Sequence, residues 1–436
     1  MTVQQMGIVG CIALVVLLCS SMPVAFAMAV VGVVGFAAVV DWNWHAAMSM
    51  TTMELYKVFA SYSLTVIPLF VLMGQVAFHG GISRRLFDAA YHWLGPLRGG
   101  LAMATVGACT AFGAICGSGP ATSATMALVA IPEMKRYKYS MELACGAVAS
   151  GGTIGMMIPP SVVFIVYAIM TEQSIGSLFI AGVLPGLLTS LLFCATIYVQ
   201  CLRRPALGPA APSFSWKAKI LSLRGAWETI LLFVAVMGGM FLGIFTPTEG
   251  AAIGAAGAIV ITVAKRQLSF KKFVQSLKET LRTSVMVMII VAGAQVFGRF
   301  LAVTQIPFAT ARWLGGLPLP GWAIMILITG FYLIAGCFVD ALALVLLTIP
   351  IFHPVVTNLG YNPVWFGVMI VLVTQMGTIT PPVGVCAYVV SGIERDVPLE
   401  TIFRGCIPFL LALVAVAILL ILFPSIALFL PGLVHP

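Results

Sequence analysis

Apolar runs near 20 residues follow one another along almost the whole chain, and four short polar stretches break them. Each run is long enough to cross roughly 30 Å of hydrocarbon. The breaks are the tighter constraint, because backbone groups that leave a helix inside a bilayer must be satisfied by protein, water or ligand. The first break is CGSGPATSAT, Cys116 to Thr125, and the second is GGTIGMMIPPS, Gly151 to Ser161. Altered versions return in the C-terminal half as AGCFVDAL, Ala335 to Leu342, and MGTITPPVG, Met376 to Gly384.

Composition removes most function classes. Of 436 residues, 61% are apolar and only 8% charged, against roughly 25% charged in a soluble domain. The chain is therefore an all-α polytopic membrane protein; the alternating segments of a barrel are absent. Its ten cysteines form no CxxC pair or other metal-ligand spacing, so no transition-metal site is expected. No Walker loop, HExxH or nucleophile elbow occurs, and no nucleophile–base pair stands out at membrane depth. The chain is expected to be no enzyme and to carry no cofactor. The run Val3 to Ser20 lacks a basic n-region and leads straight into a second apolar segment, so it reads as a retained helix.

Spans are expected at 4–21, 23–40, 63–80, 176–200, 225–244, 248–264, 283–303 and 402–428. Amphipathic stretches lie at 83–94 and 306–316. The segments 99–133 and 321–351 read as re-entrant hairpins, and 140–170 and 363–392 as broken helices. A basic linker, 203–224, separates a first repeat, 1–202, from a second, 225–436. With 63–80 running inward, every Lys and Arg except Lys57, Arg299 and Arg312 falls on one side, which the positive-inside rule makes the cytoplasm. The net charge of +9 is thus a topology signal, with attraction to anionic membrane lipids secondary and no nucleic acid implied. Ten crossings result, with basic loops cytoplasmic and both termini outside.

Landmarks recur between the halves. Pro23 matches Pro247, Gly74 matches Gly293, Trp93-Leu94-Gly95 matches Trp313-Leu314-Gly315, and Pro132 matches Pro350. Pro159-Pro160 matches Pro381-Pro382, and Gly182 matches Gly405. An odd number of crossings per repeat inverts the second copy. Inverted repeats with discontinuous helices are the build of secondary transporters, which bind their cargo where the breaks meet.

The breaks carry hard oxygen ligands. Free carbonyls at the end of one helical arm suit a cation, and free N–H groups opening the next suit an anion. Paired prolines leave upstream carbonyls unbonded. Two sodium sites are expected: Ser118, Thr122, Ser123, Gly152 and Thr153 in one; Gly336, Asp340, Gly377, Thr378 and Thr380 in the other. An alkali cation fits these oxygens better than zinc or copper. The substrate is expected between the two hairpin tips.

Two charges fall at membrane depth, where charge is costly and usually functional. Arg299 either holds a substrate carboxylate with its planar fork or snorkels to the interface. Asp340 balances a sodium ion, caps the arm that follows it, or both. Thr246-Pro247-Thr248-Glu249 spells a capping box, and the scattered His45, His79, His92, His353 and His435 suggest no proton relay.

CGSGPATSAT, the downstream Ile131-Pro132-Glu133-Met134, GGTIGMMIPPS, Thr246 to Glu249, Gly336 to Asp340 with Ile349-Pro350, and Gly377 to Pro382 together resemble the large membrane subunit of tripartite ATP-independent periplasmic (TRAP) transporters, end to end. The resemblance implies a bacterial inner-membrane importer of organic acids such as dicarboxylates, sugar acids or sialic acid. It implies sodium coupling, an elevator-like movement, a small four-helix membrane partner and a periplasmic substrate-binding protein. It places Arg299, Asp340, Ser118 and Ser161 at positions associated with transport. The chain opens on the large subunit's first helix, so the small partner is expected as a separate chain. A stand-alone sodium/dicarboxylate symporter of similar build is the alternative.

Overall fold

The computed structural model describes residues 2–434 apart from Ser21, Pro212 and Leu317; His435 lies outside the described residues. Helices and their connections account for the described residues, with no strand among them. The first half comprises α1 (Val3–Cys19), α2 (Val24–Val39), α3 (Trp44–Phe59), α4 (Val66–His79), α5 (Ile82–Leu94), α6 (Gly100–Cys116), α7 (Gly119–Arg136), α8 (Met141–Thr153), α9 (Val162–Thr171) and α10 (Ile175–Arg203). A short helix, α11 (Trp216–Leu223), leads into the second half. That half holds α12 (Trp227–Phe241), α13 (Pro247–Ala264), α14 (Phe270–Thr304), α15 (Ile306–Gly315), α16 (Gly321–Gly336), α17 (Ala341–Asn358), α18 (Pro363–Thr378), α19 (Val385–Ile393), α20 (Leu399–Leu422) and α21 (Ser425–Val434).

Local chemistry sets the ends of the elements around the breaks. Gly117, in the left-handed region at φ 64°, stops α6, and Pro120 occupies the first turn of α7. Ser161 caps α9 by accepting from the Phe164 N–H, and Asp340 caps α17 by accepting from the Leu342 N–H at 3.1 Å. Thr246 and Glu249 form both bonds of the capping box that opens α13. The pairs α6–α7 and α16–α17 occupy the segments expected as hairpins, and α8–α9 and α18–α19 those expected as broken helices.

The element order of the first half returns in the second, with α14 standing where α3 and α4 stand. The halves interleave. Helix α2 packs on α14 while α13 packs on α4, and α9 packs on α17 while α19 packs on α7. Within each half, one hairpin arm meets its own broken helix through paired glycines. A methyl group on Gly113 would lie 2.6 Å from Gly155 Cα, and one on Gly377 would lie 2.4 Å from the Gly336 carbonyl carbon.

Several boundaries differ from expectation. Helix α3 fills a stretch assigned no element, because its mixed sequence WHAAMSMTTMELYKVF carries no 20-residue apolar run. Helix α14 is 35 residues long and begins well before residue 283, its charged first turns extending an apolar span. The span expected at 402–428 is divided at Phe423-Pro424 into α20 and α21. Among the described residues, six helical stretches, α4 counted from Tyr62, are long and apolar enough to cross a bilayer, or seven if α11 and α12 count together. At 17 and 16 residues, α1 and α2 are shorter than the spans expected there. The linker is strapped to the first half: the Gly99 N–H donates to the Gly208 carbonyl, and the Tyr139 hydroxyl to the Pro209 carbonyl.

Candidate transport site between the hairpin tips

A cavity of about 290 Å³ lies where the two hairpins meet, lined by Cys116 to Ala121 from the first tip and Asp340 to Leu342 from the second. Val162 and Val163 at the start of α9, Met156, and Val71, Gly74 and Gln75 of α4 contribute further wall. Thr283, Met286 and Val287 of α14 complete it. Three helix N-termini, those of α7, α9 and α17, therefore open onto one space. Each brings a partial positive charge of about half a unit, and at α17 the Asp340 carboxylate accepts from the Leu342 N–H. Among the described residues, no Lys, Arg or His lines the cavity, and Asp340 is its one carboxylate.

Of the two roles expected for Asp340, the cap is formed. One carboxylate oxygen caps α17, and the residue, which is exposed, also lines the cavity. Ser118 lines the cavity too. Its carbonyl accepts from both the Thr122 N–H and the Thr122 hydroxyl, the latter at 2.8 Å.

The first expected sodium set is brought together around the α7–α8 contact. The Ser123 hydroxyl donates to the Ala149 carbonyl, and the Thr153 hydroxyl to the Ser150 carbonyl. Gly152 makes this approach possible, since a methyl group there would collide with Ser123 Oγ at 1.9 Å. In the second set, Thr378 donates to the Gln375 carbonyl at 2.8 Å and Thr380 to the Met376 carbonyl. Gly336 and Gly377 meet backbone to backbone. A hydroxyl that gives its proton to a helix carbonyl keeps its lone pairs for another partner, which suits a cation. Helix α19, which carries the buried Cys386, packs on α7 of the first set and on α18 of the second, so the two sets adjoin.

Two expected residues stand elsewhere. Arg299 is not in the cavity wall; its Nε–H donates to Glu54 Oε1 at 2.7 Å, on α3. Glu54 is 7% exposed and also pairs with Lys57, whereas the Arg299 side chain is 51% exposed. Ser161 caps α9 beside the first tip, with Val162 and Val163, not Ser161, facing the cavity.

Gln75 and Thr283 were not singled out from the sequence. Among the described residues their side chains make no hydrogen bond, and both face the tips across the cavity. Gln75 did leave a signal, as an amide in the apolar span VIPLFVLMGQVAFH beside the landmark Gly74. Gln375 is also new: it is fully buried, one turn before Thr378, with both amide atoms unpartnered.

Residues 11–426 match the family model described as tripartite ATP-independent periplasmic transporter, DctM component. The chain belongs to this family. The DctM-family permease is 38% identical to a C4-dicarboxylate TRAP transporter large permease protein of Pseudomonas aeruginosa, over 87% of this chain and 88% of that one. It is 35% identical to a sialic acid TRAP transporter large permease protein of Vibrio cholerae, over 86% and 87% of the two chains. It is 36% identical to an isethionate TRAP transporter permease protein, DctMQ, of Oleidesulfovibrio alaskensis, over 85% of this chain and 58% of that longer one. The family is one of transporter permeases, so the chain is a multi-pass membrane transporter subunit and not an enzyme. Its fold is similar to that of the YdaH transporter of Alcanivorax borkumensis, at TM-score 0.57 and 14% identity over 87% of this chain and 89% of that one. MtrF of Neisseria gonorrhoeae gives TM-score 0.55 over 87% and 85%.

Proposed function

We propose that this permease imports a small organic anion across the bacterial inner membrane, driven by a sodium gradient, through the cavity between the hairpin tips. The observation that carries this reading is the convergence of Ser118 and Asp340, and of three helix N-termini, on one cavity. A carboxylate or sulfonate is held there by backbone N–H groups and helix dipoles, without a basic side chain. Gln75, Thr283 and Ser118 supply hydrogen bonds that choose among cargoes. The printed names of the relatives, for C4-dicarboxylate, sialic acid and isethionate, favour an organic acid.

Sodium travels as co-substrate. One ion is held by Ser118, Thr122, Ser123, Gly152 and Thr153, and a second by Gly336, Asp340, Gly377, Thr378 and Thr380. Their shared neighbour α19 supports coupling, because filling one set reshapes the wall of the other. Arg299 serves the scaffold by fixing α3 through Glu54. The recurring element order and the exchanged packing of α2 on α14 and α13 on α4 support two inverted repeats. On that reading the two hairpins and two broken helices move together, elevator-fashion, against α1–α4 and α12–α14. The basic loops face the cytoplasm and the termini the periplasm. The partners are a four-helix small subunit and a periplasmic binding protein that delivers cargo.

Uptake by proteoliposomes containing both membrane subunits, with binding protein and a panel of labelled organic acids outside, tests this. Uptake should require an inward sodium gradient and collapse when potassium replaces sodium. Equal uptake in both salts would refute the coupling.

A further inference from the structure

Away from the cavity, Arg85 of α5 is a cation without hydrogen-bond partners among the described residues. Its side chain is 16% exposed, and Nε, Nη1 and Nη2 are all buried and unpartnered. The nearest acid is Glu228 at the start of α12, 3.8 Å from Nη1, beyond hydrogen-bonding reach. The other oxygen of Glu228 is taken by Lys265, at the end of α13. Two cations thus share one carboxylate, and a guanidinium with five N–H donors has none of them satisfied. Burial, opposed in part by Glu228, holds Arg85 below the usual guanidinium range.

The surroundings are those of a membrane–water interface. Helix α11 packs on α5, and the Trp93 indole N–H donates to the Lys219 carbonyl at 3.2 Å. Lys219 Nζ lies 5.1 Å from the Trp216 ring centre and 6.0 Å from that of Trp93. Trp216 is 71% exposed, with Ile220 and Leu221 exposed beside it. Arg84, Lys217 and Arg224 are exposed on the same elements, where Asp88 and Glu228 are the only acids. Tryptophans with basic residues mark headgroup depth, and clustered Lys and Arg there attract anionic lipid.

We propose that Arg85 and Lys265 bind the phosphodiester of an anionic phospholipid at this headgroup-depth face, the Arg85 side chain turning outward from its buried position to reach it. The phosphate offers the guanidinium a planar pair of acceptors and ties α5, which leads into the first hairpin, to α12 and α13. This site is independent of the cavity and of what the cavity carries.

The test is native mass spectrometry of the full chain in mixed micelles with equal phosphatidylglycerol and phosphatidylcholine. The wild type should retain phosphatidylglycerol preferentially. Arg85→Gln should reduce the preference about fivefold, the scale of one interfacial cation, and Arg85→Lys should restore part of it. Lys265→Gln gives an independent reduction should Arg85→Gln fail to fold. Excess inorganic phosphate should leave the lipid in place. Equal retention of the two lipids by the wild type, unchanged preference in both Gln variants, or displacement by inorganic phosphate would each overturn the assignment, the last in favour of a free anion.

Discussion

Ser118 and Asp340 come from opposite halves of the chain, each at a hairpin tip, and line the same cavity. Neither needs the other to form its own turn. Their meeting is a property of the interleaved halves, and it sets what each should do when changed.

Asp340→Asn keeps a capping oxygen for the Leu342 N–H and removes the charge facing the cavity. Transport should fall at least tenfold and its sodium dependence flatten, while the melting temperature stays near that of the wild type. Asp340→Ala should add the loss of the cap, about 1 kcal/mol. Uptake and thermal unfolding measured on the same preparations separate the two; unaltered sodium dependence in Asp340→Asn would leave only the capping role.

The backbone contact of Gly336 with Gly377 has no room for a methyl group. Gly377→Ala should destabilise by roughly 1–3 kcal/mol, the usual range for overpacking. Gly330, also in a helix, has nothing within 4 Å of its Cβ position. Gly330→Ala should therefore be neutral, or stabilising by up to about 1 kcal/mol. Thermal unfolding of the two variants side by side checks the sign of each.

Arg299 is placed by Glu54, so the two residues should fail together. Glu54→Gln should reduce transport about as much as Arg299→Gln, and the double variant should be no worse than either. Solvent around Arg299 keeps the coupling near 0.5–1 kcal/mol. A double-mutant cycle on uptake and stability measures it. Normal transport by Glu54→Gln with none by Arg299→Gln would instead point to a direct cargo contact.

Gln75 and Thr283 should act on affinity. Thr283→Val and Gln75→Met each remove one hydrogen-bonding group without changing the packing of α4 or α14. Each should raise the half-saturation concentration roughly fivefold, the scale of one neutral hydrogen bond, with little change in maximal rate. Concentration dependence of uptake distinguishes this from a folding defect, which would lower the maximal rate alone.

The helix ends at the four breaks were legible in the sequence because their causes are local. Gly117, Pro120, Ser161 and Asp340 each set a turn or a cap within a few residues, and paired prolines mark both broken helices. Apolar length made the membrane class plain, and short motifs carried the family. What stayed hidden was non-local or lacked a periodic signal. Helix α3 has mixed polarity, so no apolar run announced it, and with it went Glu54, 245 residues from its partner Arg299. Arg299 by itself looked like a substrate ligand because an arginine at membrane depth demands a partner, and the sequence does not say which. Gln75 and Thr283 matter only because the fold points both at the tips.

The account's central claim is that cargo and sodium occupy the space between the tips. Cys116 lines that space and serves as a native probe. The rate at which a maleimide modifies it can be followed by mass spectrometry of its peptide, in proteoliposomes, with and without sodium and the acid identified by uptake. Sodium and the acid together should slow the modification several-fold, and each alone should slow it less. An unchanged rate with both present would contradict the placement of the site.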